Sequence, residues 1–337
     1  MTFWGDIRVA DLPKEGPPLL VVVIDTEEEF NWTAPFDRSS RAVLNIAEQV
    51  HAQAVFERYG VVPTYVIDYP VADDDAAAGL LSGWQGEGRC LVGAHLHPWV
   101  NPPDEEAVTT FNSYPGNLPA ALEREKLARL TARIADQTGV RPTIYKAGRY
   151  GFGPHTAETL EALGYEIDLS VVPETSFVDD GGPDYRRHPH DPYWYGPGGK
   201  LFEVPLTRAF PGVLGGLGPA VYRALSGPWA RTMRLPGILN RLGLVERIPL
   251  TPEGVTADEN KRAVRHLLSK GRRVFNYAYH SSSLLPGGSP YVTSVEDRGR
   301  FVASMDEFLK FFIEEIGGRA VTPIELRDMC RVTRDAV

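Results

Sequence analysis

Cysteine is nearly absent. Cys90 and Cys330 are the only two in 337 residues, too few and too far apart for a disulfide framework, a thiolate metal cage or a C-x-x-C redox pair. Both are expected as buried thiols. Positive charge is scarce as well: 35 Lys and Arg against 44 Asp and Glu leave a formal net charge of −9 and a pI of about 5.5. A phosphate backbone finds little to attract it, so no nucleic-acid partner is expected. Long apolar runs are missing too. The longest near the N-terminus, Leu19 to Ile24, falls far short of the ~20 residues that span a bilayer. The opening MTFWGDIRVADLPKEG has no basic stretch followed by an apolar one, so no secretory signal is visible and a cytoplasmic location is expected. No G-x-G-x-x-G or G-x-x-x-x-G-K-[ST] follows a strand-like run, which excludes the usual nucleotide-binding motifs. No 20- to 50-residue repeat recurs.

What is present begins with a core. Hydrophobic residues at 43% and charged residues at 23% match a packed globular chain. The 33 glycines and 28 prolines exceed the ~12% that the pair averages, so many residues must lie in turns and long loops. LLVVVID (residues 19–25) reads as a buried strand stopped by Glu27-Glu28-Glu29. Ser39-Ser40 are placed to cap a helix that runs to Tyr59 and stops at Gly60. VVPTYVI and Cys90 to His95 read as strands, and LPAALEREKLARLTARIADQTG as a helix ending at Gly139. PTIYKAG, a helix around 157–163, YEIDLSVV, LFEVPLT, a helix over 258–270, RVFNYAYH and a helix near 296–316 continue the alternation. About eight short strands, most followed by a helix, predict an α/β fold with a parallel sheet, and the missing nucleotide motifs favour a closed barrel.

Residues 209–250 break this alternation. They are apolar, interrupted by Gly and Pro, and basic among their few charges. They read as an inserted set of short helices, either a cap on the barrel or an amphipathic surface for a lipid-linked substrate, with Trp229, Arg231, Arg234 and Arg241 among leucines. No low-complexity linker divides the chain, so residues 1–337 are expected to form a single domain.

Chemistry-bearing residues collect at strand ends. Asp25 and Glu27 lie at the carboxyl end of the first strand, where a period of two points both to one side and where parallel barrels keep their active sites. His95 and His97 repeat that arrangement in GAHLHPW, with Pro98 holding His97 extended. Two imidazoles and a carboxylate form a three-ligand set with an open position, as in a catalytic zinc site. Arg149, Asp168 and His280 close three further strands at the same end. His188 and His190 form a second His pair in a Pro- and Tyr-rich loop, outside this pattern. His51, His155 and His266 fall on predicted helices as surface or packing residues. Trp32, Phe36, Trp99, Tyr150, Phe152, Tyr193, Trp194 and Tyr291 are placed near the mouth, to stack on a ligand or to fill the core.

The order of these motifs, with the phrases IDTEEEF, GAHLHPW, AGRYG and YHSSSLLPGGSPYV, resembles the NodB-homology polysaccharide deacetylases, carbohydrate esterase family four, and within them the WalW-type subgroup. The resemblance spans roughly residues 18–325 and is weakest over 209–250. It implies a deformed (β/α) barrel and metal-dependent removal of N-acetyl groups from amino sugars. By position, Asp25 corresponds to the catalytic base and Glu27, His95 and His97 to the metal ligands. Arg149 would hold the base ionised, Asp168 would orient the last histidine, and His280 would be the general acid. Trp99, Tyr150 and Ser281 are the expected substrate contacts. Two features depart from the family pattern. A threonine separates Asp25 from Glu27, which leaves Glu28, Glu29 and Asp25 itself as further candidate ligands; and the histidines stand two apart, not four.

The expected metal is zinc, with cobalt, nickel or iron as other candidates. The expected partner is an amino-sugar small molecule, glycan or lipid-linked glycan, with peripheral membrane contact through 209–250 in the last case. A deformylase, a hydrolase of a non-sugar cyclic amide and a catalytically silent sugar-binding domain remain as alternatives.

Overall fold

The computed structural model describes residues 5–12, 15–211 and 247–335. The expected insertion, 209–250, lies almost entirely outside the described residues. In chain order the elements are β1 (Arg8–Val9), β2 (Leu19–Thr26), α1 (Val50–Arg58), β3 (Thr64–Ile67), α2 (Tyr69–Asp73), α3 (Asp75–Gly86), β4 (Leu91–Leu96), α4 (Ala120–Thr138) and β5 (Ile144–Ala147). There follow α5 (Thr156–Ala162), β6 (Ile167–Asp168), β7 (Tyr193–Tyr195), β8 (Leu201–Glu203), β9 (Arg208–Ala209), β10 (Ile248–Pro249), α6 (Ala257–Ser269), β11 (Val274–His280), α7 (Val295–Lys310), β12 (Arg319–Ala320) and α8 (Pro323–Asp335).

The main sheet runs β1-β7-β8-β6-β5-β4-β3-β2-β11, with β12 also on β2. From β8 to β11 every pairing is parallel, and only β1 and β7 join antiparallel. The seam between β11 and the segment after β8 is irregular. Asn276 Nδ2 donates to the Val204 carbonyl at 3.0 Å, Asn276 N–H to Thr207 Oγ1 at 2.8 Å, and Ala278 N–H to the Leu250 carbonyl at 3.3 Å. A deformed α/β barrel results: the alternation of elements predicted its parallel sheet, and the family resemblance implied its deformed closure.

All eight residues of β2 are buried, because both of its faces are covered. Leu20, Val22 and Ile24 pack outward on the helical layer with Phe56 and Leu81. Leu19, Val21 and Val23 point into the barrel, where Val66, Ile144, Phe202 and Val274 meet Leu326 and Cys330 of α8. Each such side chain contributes about 1.5–3 kcal/mol relative to exposure. Both cysteines are free and buried.

One boundary and two short helices differ from expectation for local reasons. The helix after Ser39-Ser40 starts later, as a 3₁₀ turn at Leu44–Gln49 leading into α1. Glu29 caps it instead, its carboxylate accepting from Asn45 N–H at 3.0 Å. Helices α2 and α3 were not foreseen. They begin at Asp68 and Asp74, whose carboxylates accept from the first-turn amides. The end of α4 is as predicted: Gly139 takes the left-handed φ of 70° that an L side chain resists. Among the described residues no helix is long and apolar enough to cross a membrane.

Candidate metal centre and active-site pocket

The strand period sets the site. On β4, Ala94 and Leu96 face the helices, so His95 faces the barrel interior. On β5, Tyr145 and Ala147 face outward, which turns Lys146 inward beside His95, its register partner. On β2, Asp25 continues the inward series of Val21 and Val23, and the parallel register with β11 sets His280 directly beside it. The barrel's apolar floor therefore ends in a polar layer at the carboxyl end of the strands.

Glu27, His95 and His97 form a buried group whose ligand atoms lie within 4.8 Å of one another. The Nε2 atoms of His95 and His97 stand 3.8 and 3.4 Å from Glu27 Oε2. Their Nδ1 atoms are already engaged, His95 with the Lys146 carbonyl at 2.9 Å and His97 with Glu28 Oε2 at 2.8 Å. This leaves both Nε2 lone pairs facing the carboxylate, the outer-shell pattern that orients metal-bound histidines. Glu27 Oε1 is buried with no hydrogen-bond partner, a costly state for an acceptor unless something binds it. The donor set fits a borderline divalent cation such as zinc.

The other glutamates of the run are occupied. Glu28 also accepts from Trp99 Nε1 at 2.7 Å, and its backbone N–H donates to Asp68 Oδ2 at 2.7 Å. Glu28, Asp68 and His97 could converge as a second ligand group, but through Nδ1, on the side of the ring away from Glu27. Burial pushes the Glu28 carboxyl up to about 8, with Glu27's charge adding to the effect, and lowers His97 to about 4.

Lys146, not Arg149, is the cation at Asp25. Its Nζ donates to Asp25 Oδ1 and Oδ2 at 2.5 and 2.7 Å, with both side chains buried. Burial alone would raise the Asp25 carboxyl, but Lys146, with His95 and His280, more than offsets that and holds it below its ordinary range. Arg149 is kept away because it follows β5 rather than lying on it, in a 3₁₀ turn at Gly148–Tyr150. The backbone there is left-handed at Arg149 (φ 52°) and Tyr150 (φ 59°), a conformation that costs an L-residue roughly 1–2 kcal/mol.

Asp168 does not reach His280. It is in register with Tyr145, which faces the helices, so its side chain leaves the barrel; it accepts from Tyr195 Oη at 2.7 Å and from Ser170. The acid that orients His280 is Glu253, which precedes α6. Its Oε2 lies 2.9 Å from His280 Nδ1, and its Oε1 accepts from His280 N–H at 3.0 Å. Burial disfavours the imidazolium, but Glu253, Glu27 and Asp25 outweigh it and lift His280 to about 10. His280 Nε2 lies 3.7 Å from Asp25 Oδ2.

These groups open into a cavity of about 370 Å³ lined by Asp25, Glu27, His95, His97 and His280, with Phe30, Trp32, Phe36, Tyr114, Tyr150 and Phe177 on its walls. Of the expected substrate contacts, Tyr150 lines it and stacks on Phe177. Trp99 lines it too, but its indole N–H is taken by Glu28 and its ring stacks on His97 with centroids 4.3 Å apart. Ser281 does not line it: fully buried, it accepts from Glu27 N–H at 3.1 Å. Phe152, Tyr193 and Trp194 belong to the core. Tyr291 packs edge-on to Trp32. His188 lies 3.2 Å from Tyr193 Oη and His190 3.6 Å from Glu174, apart from the Glu27, His95 and His97 group.

Lys146 had a signal in the sequence, a lysine inside an otherwise apolar strand. Glu253 had none, because it lies in an irregular loop whose position only the fold sets.

No protein-family model matches the chain, and no curated protein matches it. Solved structures do. A protein from Mycobacterium smegmatis assigned as a polysaccharide deacetylase aligns over 97% of this chain and 94% of its own, with a TM-score of 0.54 and 14% identity. The Puue allantoinase aligns over 94% and 90%, again with a TM-score of 0.54 and 14% identity. The fold is thus the barrel-like α/β fold shared by polysaccharide deacetylases and this allantoinase.

Proposed function

We propose that this protein is a metal-dependent amide hydrolase that removes N-acetyl groups from an amino sugar, in line with the NodB-homology, WalW-type resemblance of its motifs. The observation that supports this best is the pair of free imidazole Nε2 atoms facing an unsatisfied Glu27 carboxylate at the base of an aromatic-lined cavity. Glu27, His95 and His97 would hold the cation, most simply zinc, with cobalt, nickel or iron as substitutes. When bound, such an ion supplies Lewis-acid polarisation of the scissile carbonyl and acidifies water.

The chain's own residues supply the proton transfers. Asp25, pinned by Lys146, takes the proton of the attacking water at a carboxylate oxygen. His280, held through Nδ1 by Glu253, presents Nε2–H to the departing amine nitrogen, a poor leaving group unless protonated. The aromatic walls receive the apolar faces of the sugar ring. The buried layer beneath excludes bulk water from the amide.

Release of acetate from N-acetyl amino sugars, with N-formyl sugars in parallel, tests this reading. Asp25→Asn and His280→Ala should each lower kcat by ~10²–10⁴-fold, and chelation should abolish turnover until zinc or cobalt is restored. Turnover within tenfold of wild type in both variants would refute the assignment of base and acid. Sugar binding with no release of any acyl group would favour a silent binding domain.

A further inference from the structure

Arg149 is the cation of the pocket that the proposed chemistry leaves unused. His280, also on the cavity, is matched at hydrogen-bond distance by Glu253, and Lys146, behind the cavity lining, by Asp25. Arg149 faces Asp180 Oδ2 at 3.8 Å, too far for a hydrogen bond, and that carboxylate is 61% exposed. Among the described residues no carboxylate lies closer to it. Both side chains line the same cavity as the metal ligands.

The guanidinium is nevertheless immobilised. Its carbon lies 4.1 Å from the centroid of the Tyr114 ring and 5.1 Å from that of Phe36. Nη1 donates to Ser113 Oγ at 2.6 Å and to the Thr110 carbonyl at 3.2 Å. The left-handed backbone at Arg149 and Tyr150 is an unfavourable conformation that the fold maintains where it places this side chain at the cavity. A planar, weakly hydrated fork, fixed in advance and incompletely neutralised, suits a carboxylate or phosphate oxygen pair. Its ordering entropy is already lost before any ligand arrives.

We propose that Arg149 recognises an anionic substituent, carboxylate or phosphate, on the N-acyl amino sugar, and that this group displaces Asp180 from the guanidinium. The assignment rests on the deacylase reading of the same pocket. Arg149 then determines substrate choice, and the proton transfers remain with Asp25 and His280.

The test compares kcat/KM for acetate release from neutral N-acetylglucosamine, its 6-phosphate and 1-phosphate, and N-acetylmuramic acid, whose anion is a carboxylate. At least one anionic substrate should be preferred roughly tenfold or more through KM, as for a charge-assisted bidentate contact. Arg149→Gln should collapse that preference, and Arg149→Lys should restore only part of it. Asp180→Asn, which leaves the ring clamp intact and covers the case of an unfolded Arg149 variant, should strengthen the preference roughly two- to fivefold. Equal use of neutral and anionic substrates by the wild type, or a preference unchanged in Arg149→Gln or weakened in Asp180→Asn, would overturn the proposal. Calorimetric binding of glucosamine 6-phosphate against glucosamine separates it from the deacylase reading, since no turnover is needed. Arg149-dependent phosphate binding without acetate release from any sugar would sink the deacylase reading alone; acetate release without charge preference would sink this one alone.

Discussion

At the scale of single residues, two ion pairs, one buried and one part-buried, flank the proposed base and acid. Lys146 and Asp25 neutralise each other inside the barrel; removing either partner leaves an uncompensated buried charge, a loss of about 3–5 kcal/mol. His280 and Glu253 make the second pair. Because the folded protein holds His280 at about 10, above the ordinary imidazole value of ~6.5, the stabilisation is fully present below ~6.5 and is lost as pH rises through about 10. Glu253→Gln should therefore lower the apparent pKa of His280 towards ~6.5, measured by NMR titration of the metal-free protein. At pH 8 it should reduce unfolding stability by roughly 1–3 kcal/mol, with the gap from wild type narrowing above pH 10. An unchanged His280 titration in the variant would remove Glu253 from the mechanism.

At the scale of elements, the junction of β5 with its following turn has little room for change. A methyl group at Gly148 would lie 2.3 Å from the Leu96 carbonyl and 2.6 Å from His97 Cδ2, so β5 approaches the histidine-bearing end of β4 only because this residue has no side chain. Gly148→Ala should push His97 off line and weaken zinc binding by roughly 10–100-fold, as for losses of ligand orientation. Zinc content after dialysis against a competing chelator checks this, and full retention would show that His97 tolerates the shift. At this scale much was legible beforehand. The short apolar runs of β2, β4, β5 and β11 marked which end gathers the polar residues, and His-x-His at the end of β4 marked two side chains that the fold brings beside Glu27. Asp168 was misplaced because a two-residue strand gives too short a pattern to tell its inner face from its outer one, and Tyr145, its neighbour in register, settles that face.

At the scale of the whole molecule, the barrel depends on its irregular seam. Asn276 points inward on β11 and bridges to Val204 and Thr207, completing a ring that regular strand pairing leaves open. Asn276→Ala should cost about 1–3 kcal/mol by stranding the Val204 carbonyl. Denaturant unfolding measures that loss, and faster amide exchange at Asn276 and Ala278 should accompany it. A variant as stable and as protected as wild type would show that the seam closes without the side chain.

The sequence by itself determined the alternating α/β pattern, the buried first strand, the buried thiols and the residues most apt to ligate a metal. Each of these follows from local periodicity and side-chain chemistry, which a chain carries wherever it folds. Only the tertiary structure decided the partners: Lys146 for Asp25 across 121 positions, Glu253 for His280, Glu28 behind His97, and Arg149 turned aside to the cavity wall. Those choices depend on strand register and on how loops from distant segments cross the barrel mouth, and neither is encoded in spacing along one segment.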